Sequence, residues 1–331
     1  MAARAMAGPE AIFSTHPLHP EVERDLAALG GLRIASAPTP EAILAESGDA
    51  AIIVVRAPVP AEVVARGTRL RALVRHGAGL DMIPMEAATE AGVLVANVPG
   101  ANAGTVAEHV AWTAAALLRR YPAVQADLRE RGWAAARAHS DHGLEMGGRI
   151  LGIVGMGNVG TALARVAQGG FGMRVLAVTR RASALPEGVE AASLHGMLAR
   201  ADVVALCCPL TLETRGMIGA AELALMRPHA VLVNVARGPV VVELALLAAL
   251  SEGRIGGAAL DVFDAQPLPP GHPFLRLGNV ILTPHMAGIT EESMVRMGRG
   301  VVAEARAILA GERPPNLCNP EAWDRFRARF P

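Results

Sequence analysis

The fold is decided by residues 150–160, which read Ile-Leu-Gly-Ile-Val-Gly-Met-Gly-Asn-Val-Gly. The first five residues form an apolar run that predicts a buried β-strand, and three glycines follow it in the G-x-G-x-x-G spacing. In this motif the glycines permit a tight turn, a close approach of the backbone to a pyrophosphate, and close packing of the next helix. A helical pattern follows, and a second apolar run begins at Met173, so the motif stands between two strands. A structural glycine turn is the alternative, but this context favours a dinucleotide site at the N-terminus of the helix. The residues predicted to line it are Gly155, Gly157, Asn158, Val159 and Gly160.

Outward from this motif, short apolar runs alternate with helical patterns along most of the chain. The predicted strands are 11–14, 32–35, 51–55, 72–74 and 93–96 in a first series, and 149–154, 173–178, 202–206, 230–235, 256–262 and 279–282 in a second. The predicted helices include 20–29, 40–46, 60–66, 84–91, the Ala-rich stretch 106–119 between the two series, and 290–310 after the last strand. Strict alternation is typical of parallel sheets covered by helices. One large α/β domain is the alternative, but two series in 331 residues favour two Rossmann-like, doubly wound parallel-sheet domains with a cleft between them.

The charge balance excludes several classes of protein. The 31 basic residues match 31 acidic ones, so the formal net charge is zero and provides no general attraction for nucleic acid or anionic membranes. All 31 basic residues are arginine, which excludes a Schiff-base lysine and the lysine of a P-loop.

The distribution of apolar residues and cysteines predicts the compartment. No apolar run approaches the ~18 residues of a transmembrane helix, and Pro9 and Glu10 come before any signal-peptide core develops. Three cysteines, of which Cys207 and Cys208 are adjacent, form neither a disulfide framework nor a metal-ligand spacing. We therefore expect a cytoplasmic protein with no metal and no membrane or nucleic-acid partner.

The end of the second strand of the dinucleotide motif predicts which cofactor binds. An acidic residue about 20 positions after the glycines would bind a ribose 2′-hydroxyl and repel a 2′-phosphate. This chain has Thr179, Arg180 and Arg181 there instead. A hydroxyl and two guanidinium groups suit a phosphate dianion, so NADP is predicted, with NAD possible. The alternative is that the two arginines belong to a solvated surface loop.

Polar residues follow three of the later predicted strands. Arg237 comes after the strand that ends near Asn234, Asp261 lies near the end of the next strand, and His285 follows Thr-Pro after the last strand. Because carboxyl ends of parallel strands line the ligand crevice, Arg237 and His285 are expected near the nicotinamide. A cation that binds a carboxylate, a group that donates a proton and a nicotinamide dinucleotide are the components that 2-keto acid reduction needs. Taken singly, the arginine and the histidine could each be a surface or turn residue.

Together these segments resemble the D-isomer-specific 2-hydroxyacid dehydrogenase family, in particular its glyoxylate and hydroxypyruvate reductases. The resemblance runs from Val74–Asp81 to Pro284–Gly288 and includes 97–100, 106–109, the glycine motif, 208–211, 234–238 and 259–263. It implies a flavodoxin-like substrate domain of residues 1–101 and 286–331, and a dinucleotide-binding Rossmann domain of residues 102–285. It further implies a homodimer formed through the 103–120 helix region.

The resemblance also implies roles for individual residues. Arg237 and the amides near Gly77–Gly79 would bind the substrate carboxylate, His285 would exchange the proton, and Asp261 would hold the nicotinamide carboxamide. The full predicted substrate set is His76, Gly77, Ala78, Gly79, Arg237 and His285. Besides the glycine motif and 179–181, the predicted cofactor set includes Cys208, Pro209, Thr214, Val235, Ala236, Asp261 and Gly288.

The chain departs from the family pattern at the partner of the catalytic histidine. The family's usual glutamate is Gln266 here, so the predicted catalytic set is Arg237, His285 and Gln266. A carboxylate stabilises the imidazolium and raises its pKa, whereas a neutral amide orients the ring without adding charge. Asp264 is a carboxylate that could stand in for the missing one. The formate-oxidising branch of the family also uses glutamine at this point, so formate oxidation remains an alternative function.

A second alternative is a corepressor that binds the dinucleotide without catalysis. The presence of Arg237 and His285 and the zero net charge argue against it. Residue patterns leave the identity of the 2-hydroxy acid open. They also leave open whether Arg75 and His76 contact the substrate's distal group or belong to a solvated loop. The same holds for Trp323 and Phe326 in the C-terminal tail, which either pack on the substrate domain or cover a neighbouring subunit.

Overall fold

The computed structural model describes residues 11–331, so the prediction drawn from Pro9 and Glu10 falls outside the described residues. The described chain divides into two compact units. One contains the residues up to Asn102 together with Ile289–Pro331, and the other is Ala103–Gly288. Each unit is built on one parallel sheet with helices on both faces, which confirms the predicted fold class of two doubly wound domains.

The unit that contains both ends of the sequence, the residues up to 102 with 289–331, is called the outer unit, and Ala103–Gly288, which lies between them in the sequence, is called the inner unit. The outer unit contains a five-stranded sheet. Its strands are β1 (Ile12–Ser14), β2 (Leu32–Ile34), β3 (Ile52–Val55), β4 (Ala72–Arg75) and β5 (Leu94–Ala96). Its helices are α1 (Pro20–Leu29), α2 (Pro40–Glu46), α3 (Ala61–Arg66), α4 (Met85–Glu90), α12 (Glu291–Leu309) and α13 (Trp323–Arg329). The sheet order β2-β1-β3-β4-β5, with every pairing parallel, is the flavodoxin-like order.

Local signals explain where the outer helices begin. Helices α1 and α2 both have proline at their first positions, where its missing N–H costs nothing. In α12 the Thr290 hydroxyl accepts a hydrogen bond from the Ser293 amide, and the Ser293 hydroxyl accepts one from the Thr290 amide. A Cβ at Gly298 would overlap the Val22 side chain, so glycine is what lets α12 pack closely on α1.

The inner unit, Ala103–Gly288, contains a seven-stranded sheet. Its strands are β6 (Ile150–Val154), β7 (Arg174–Val178), β8 (Val189–Ala191), β9 (Val203–Leu206), β10 (Val231–Asn234), β11 (Gly257–Leu260) and β12 (Val280–Leu282). Its helices are α5 (Ala103–Leu118), α6 (Tyr121–Glu130), α7 (Trp133–Ala138), α8 (Asn158–Phe171), α9 (Leu194–Leu198), α10 (Ala220–Leu225) and α11 (Glu243–Ser251). The order β12-β11-β10-β9-β6-β7-β8 is that of a Rossmann sheet extended by one strand.

Strand β8 was missed by the sequence analysis. It is only three residues long, and two of them are exposed, because β8 lies at the edge of the sheet and pairs with β7 alone. A short half-exposed segment such as Val-Glu-Ala lacks the continuous apolar run by which the other strands were predicted.

The C-terminal tail belongs to the core of the outer unit. Helix α13 buries Phe326 completely against residues of β1, β3, β4 and β5, and Trp323 stacks on Phe326 with ring centroids 5.6 Å apart. Trp323 and Phe326 therefore pack on the five-stranded sheet of their own chain.

Candidate active site

The turn after β6 has the shape that the glycine motif predicts. Gly155 has a φ of +98°, and a Cβ there would lie 2.8 Å from the backbone of Cys208. A Cβ at Gly160 would overlap the carbonyl of Gly155, so this glycine lets α8 pack against the turn. The two glycines are therefore required by the protein's own backbone.

Gly157 is different, because nothing in the protein requires a glycine there. It is the N-cap of α8, its φ of −86° is open to any residue, and a Cβ would meet no atom within 4 Å. The space beside Gly157 is thus open and lies at the N-terminus of a 14-residue helix. These features fit the pyrophosphate of a dinucleotide, which needs close approach and backbone N–H donors.

Other predicted cofactor residues lie on loops at the carboxyl edge of the same sheet. The order of the inner sheet reverses between β6 and β9, and this switch point is where ligands bind in such sheets. Cys208 and Pro209 follow β9, Val235 and Ala236 follow β10, Asp261 follows β11 and Gly288 follows β12. Thr214 fixes the loop after β9, because its hydroxyl donates to the Pro209 carbonyl at 2.7 Å.

The two cysteines beside this loop are packing residues. Cys208 is buried, and burial raises the pKa of the Cys207 thiol to about 12. A thiol with so high a pKa stays protonated and is a poor nucleophile.

The residues predicted to select NADP form a turn directly after β7. The Thr179 hydroxyl accepts a hydrogen bond from the Arg181 amide at 3.2 Å, and the Arg180 and Arg181 side chains are exposed.

Arg237 is held by an asparagine at the end of β10. The Asn234 side chain donates to the Arg237 carbonyl at 3.0 Å and accepts from the Ala236 amide at 3.0 Å. The half-buried Arg237 guanidinium donates to the Ala236 carbonyl at 2.6 Å. A Cβ at Gly238 would overlap the Phe263 carbonyl, so the loops after β10 and β11 approach each other closely here. This approach explains the glycine that follows the arginine.

His285 and Gln266 are brought together by the structure. The Nδ1 atom of His285 lies 3.1 Å from Oε1 of Gln266, and the imidazole is exposed. The Gln266 amide nitrogen faces the Phe263 carbonyl at 3.5 Å, so the amide oxygen is the atom turned to the histidine. Because an amide oxygen only accepts hydrogen bonds, Nδ1 of His285 carries the proton of this contact.

The turn that presents His285 is anchored by Asp261. His285 has a φ of +54°, which is unusual for a residue with a side chain, and its amide donates to the Asp261 carbonyl at 2.9 Å. The buried Asp261 carboxylate accepts hydrogen bonds from the Met286 amide at 2.8 Å and the Ala287 amide at 3.0 Å. The Thr283 hydroxyl donates to the same carboxylate at 2.7 Å.

These contacts add a residue that the sequence analysis missed. Thr283 was treated only as part of the Thr-Pro segment before His285, although a hydroxyl two residues before the histidine is a signal for such an anchor. Burial lowers the pKa of the neighbouring His109, and the negative charge of Asp261 offsets only part of this shift.

Asp264 does not replace the missing glutamate at Nδ1 of His285. The amide of Gln266 occupies that position. The pKa of Asp264 is raised by burial and by the nearby charge of Glu243, while Arg215 lowers it.

The predicted substrate loop, residues 76–79, lies in the outer unit directly after β4. All four of its carbonyls accept hydrogen bonds. The Arg75 guanidinium donates to the His76 carbonyl at 2.7 Å and to the Gly79 carbonyl at 3.0 Å. The Val98 amide donates to the Gly77 carbonyl at 2.9 Å, and the Asn97 side chain donates to the Ala78 carbonyl at 2.8 Å. In a planar trans peptide the N–H points away from the preceding carbonyl. The N–H groups of Ala78 and Gly79 therefore point away from the side chains and the amide that hold these carbonyls.

His76 itself lies inside the outer unit. Its side chain is buried, and burial together with the positive charges of Arg56 and Arg75 lowers its pKa to about 4. The imidazole is therefore neutral at neutral pH, and its predicted contact with substrate stays a prediction. Arg75 supports the loop, since it also donates to the Val55 carbonyl at 2.9 Å.

Residues 11–331 show no feature of a membrane-spanning protein or of a metal site. No described helix is long and apolar enough to cross a membrane. No described cluster of three or more His, Cys, Asp or Glu side chains is arranged to hold a metal ion.

Comparison with known proteins identifies the family. Residues 111–287 match the family model described as D-isomer specific 2-hydroxyacid dehydrogenase, NAD binding domain. This chain belongs to that family. It is 41% identical over 277 residues to a glyoxylate reductase of Korarchaeum cryptofilum, covering 82% of this chain and 83% of the relative. It is 37% identical over 314 residues to a D-3-phosphoglycerate dehydrogenase of Methanocaldococcus jannaschii, covering 93% of this chain but only 59% of that longer relative.

A solved structure supports the same assignment. The chain superimposes with a TM-score of 0.81 on an NADPH-dependent glyoxylate/hydroxypyruvate reductase from Sinorhizobium meliloti in complex with NADP and malonate. The two share 27% sequence identity, over 95% of this chain and 98% of the other. This 2-hydroxyacid dehydrogenase is accordingly an oxidoreductase that transfers a hydride between a nicotinamide dinucleotide and a 2-keto or 2-hydroxy acid.

Proposed function

We propose that this dehydrogenase reduces a small 2-keto acid to the D-2-hydroxy acid and prefers NADPH as the reductant. The observation that carries the proposal is the exposed His285 imidazole, held through Nδ1 by Gln266 on a turn anchored by Asp261. Its other ring nitrogen is then the one that exchanges a proton with the substrate oxygen. The bound dinucleotide supplies the hydride.

Arg237 and the amides of the 76–79 loop bind the substrate carboxylate in this proposal. Arginine is suited to that role because its planar fork pairs with both carboxylate oxygens. The four anchored carbonyls of the loop support it, since they orient the Ala78 and Gly79 amides in advance of binding. The outer unit is accordingly proposed as the substrate domain, and the inner unit as the dinucleotide-binding domain.

The preference for NADPH rests on the turn after β7. Thr179 stands where an acidic residue would repel a 2′-phosphate, and the exposed Arg180 and Arg181 provide positive charge beside it. The Sinorhizobium meliloti reductase, which carries NADP in its structure, shares the fold of this chain.

We also propose a homodimer formed through the 103–120 region and a location in the cytoplasm. Trp112, on α5, is 59% exposed, which is unusual for a large aromatic side chain and suits a surface covered by a second copy. Three free cysteines suit a reducing compartment.

The test of the proposed function is a panel of 2-keto acids, each assayed with NADPH and NADH. We expect kcat/KM to be several-fold higher with NADPH. Replacing Arg180 and Arg181 by Ala together should raise KM for NADPH and leave KM for NADH nearly unchanged, because only NADPH carries the 2′-phosphate. The matched control replaces the exposed Arg66 and Arg69 of the outer unit by Ala. Equal efficiency with both cofactors in the parent enzyme would contradict the proposed preference, and no activity with any keto acid would contradict the proposed reaction.

A further inference from the structure

We propose that the same site also reduces 2-imino acids, the protonated imines that small 2-keto acids form with ammonia or a primary amine, to 2-amino acids. The inference rests on the proposed function, because it uses the same carboxylate-binding residues and the same dinucleotide. It differs in the group that is reduced, a C=N bond in place of a C=O bond.

The first argument is the protonation pattern of His285. Its Nδ1 donates to the amide oxygen of Gln266, whose own nitrogen is turned to the Phe263 carbonyl. In a neutral imidazole with the proton on Nδ1, the second nitrogen, Nε2, has a lone pair and accepts hydrogen bonds. A neutral His285 therefore presents an acceptor to the substrate.

The second argument is that this acceptor matches an iminium better than a ketone. A ketone oxygen needs a hydrogen-bond donor, and its reduction needs a proton, so the imidazole must first become charged. A protonated imine carries N–H donors of its own and brings its proton with it. The neutral Nε2 atom complements such an N–H group directly.

The third argument concerns charge. Hydride addition to a ketone develops negative charge on oxygen, which an imidazolium supported by a carboxylate stabilises. Hydride addition to an iminium instead removes a positive charge. The pair of His285 and Gln266 contributes no charge when the imidazole is neutral, and the carboxylate fixed in the same turn, Asp261, is negative. Because Arg237 pairs with the substrate carboxylate, a neutral imidazole adds no positive charge at the reacting group, which suits an iminium better than a developing oxyanion.

The reaction balances without a proton from the protein. The hydride forms the new C–H bond, the π electrons of the C=N bond become the nitrogen lone pair, and the resulting amine takes a proton from water. His285 accepts a hydrogen bond from the nitrogen and holds the C=N bond in position. Arg237 binds the carboxylate, as it does in the proposed keto-acid reaction.

The experiment uses the full-length enzyme with NADPH and pyruvate at pH 8.5, with and without a high concentration of methylamine. Products are identified by mass spectrometry as lactate or N-methylalanine, so the measurement reports chemical identity as well as rate. We expect methylamine to increase NADPH oxidation several-fold and N-methylalanine to be the main product.

The decisive variant is Gln266→Glu. A carboxylate beside Nδ1 favours the imidazolium by about one pK unit or more, and an imidazolium donates from Nε2 and repels an iminium. The ratio of N-methylalanine to lactate should therefore fall by about tenfold. Gln168→Glu is the matched control, because the half-buried Gln168 lies near the C-terminal end of α8, away from the glycine turn, and its side chain donates to the Glu187 carbonyl at 3.4 Å. Its product ratio should equal that of the parent enzyme.

The outcomes separate this inference from the proposed function. Lactate as the sole product in the presence of methylamine would overturn the inference and leave keto-acid reduction standing. No product of either kind from any keto acid would overturn both. If Gln266→Glu fails to fold, the product of the parent enzyme still decides the question. An unchanged product ratio in a folded Gln266→Glu variant, judged by NADPH binding, would refute the argument from His285.

Discussion

At the scale of single residues, the candidate site consists of side chains whose orientation is set by one or two neighbours. Arg237 is fixed on its backbone side by Asn234, and His285 is fixed through Nδ1 by Gln266. In both cases the neighbour is a neutral amide, so it sets geometry without adding charge. The chemistry then depends on the geometry of the guanidinium and on the protonation of the imidazole.

The prediction at this scale is the effect of Arg237→Lys. Lysine keeps the positive charge but loses the planar fork that pairs with both oxygens of a carboxylate. We expect kcat/KM for keto acids to fall by about two orders of magnitude or more, while NADPH affinity, measured by cofactor fluorescence, barely changes. A lysine variant with normal keto-acid kinetics would show that Arg237 has another role.

At the scale of elements, the loops after the parallel strands are held by side chains from neighbouring strands and loops. The 76–79 loop after β4 is supported by Arg75, which also bonds the Val55 carbonyl at the end of β3. The turn after β12 is anchored by Asp261, which follows β11. Each loop is therefore fixed to the adjacent strand, which keeps it in one conformation before a ligand binds.

The prediction at this scale is that Arg75→Met raises KM for keto acids and changes kcat little. Methionine retains an unbranched apolar side chain but removes the donors to the His76, Gly79 and Val55 carbonyls, so the amides of the loop are no longer held for a carboxylate. Steady-state kinetics and NADPH binding measure the effect, and cofactor affinity should stay the same.

Arg69→Met is the control for Arg75→Met, because Arg69 is an exposed residue just before β4. If Arg75→Met and Arg69→Met give the same KM as the parent enzyme, Arg75 does not position the substrate loop.

At the scale of the whole molecule, the inner sheet is held at its amino edge by a buried carboxylate. Asp202 accepts hydrogen bonds from the Ile150 amide at 2.8 Å and from the His229 ring at 2.6 Å, and pairs with Arg149 and Arg227 at 3.4 and 3.2 Å. Burial raises the pKa of Asp202, but the hydrogen bonds from His229 and Ile150 and the two arginine charges outweigh it, so the pKa is lowered overall. These contacts join the starts of β6, β9 and β10, on the opposite edge from the candidate site.

The prediction at this scale concerns stability against pH. The pKa of Asp202 is lower in the folded protein than in the unfolded chain, where it is about 3.9. The ionised Asp202 therefore adds to the free energy of unfolding above about pH 3.9, and this stabilisation is lost as the pH falls through the pKa of the folded protein. Asp202→Asn should lower the free energy of unfolding by about 1–3 kcal/mol near pH 6, and the difference from the parent enzyme should shrink below about pH 4. Thermal unfolding at a series of pH values measures it. The exposed Asp141→Asn variant should match the parent throughout, and a pH-independent difference for Asp202→Asn would contradict the ionic explanation.

The sequence by itself determined the features that depend on neighbours along the chain. The apolar run of 150–154, the glycines after it and the helical pattern that follows are adjacent, so their geometry is local and could be predicted as β6, a tight turn and α8. The same holds for the alternation that predicted two parallel sheets, and for the placement of Arg237 and His285 after strands whose carboxyl ends meet at one edge of the sheet.

Only the tertiary structure decided the contacts that join distant segments. Asn97 bonds the carbonyl of Ala78, Asp261 bonds the turn of Met286 and Ala287, and Phe326 is buried among strands from the other end of the chain. None of these pairs has a local signal, because each depends on which strands become neighbours and on how closely their loops approach. The hydrogen bond that His285 makes was also decided by the tertiary structure. The sequence shows that Gln266 replaces the usual glutamate, but it does not show which way the amide points. The Phe263 carbonyl sets that direction, and only the folded loop brings the carbonyl close to the Gln266 side chain.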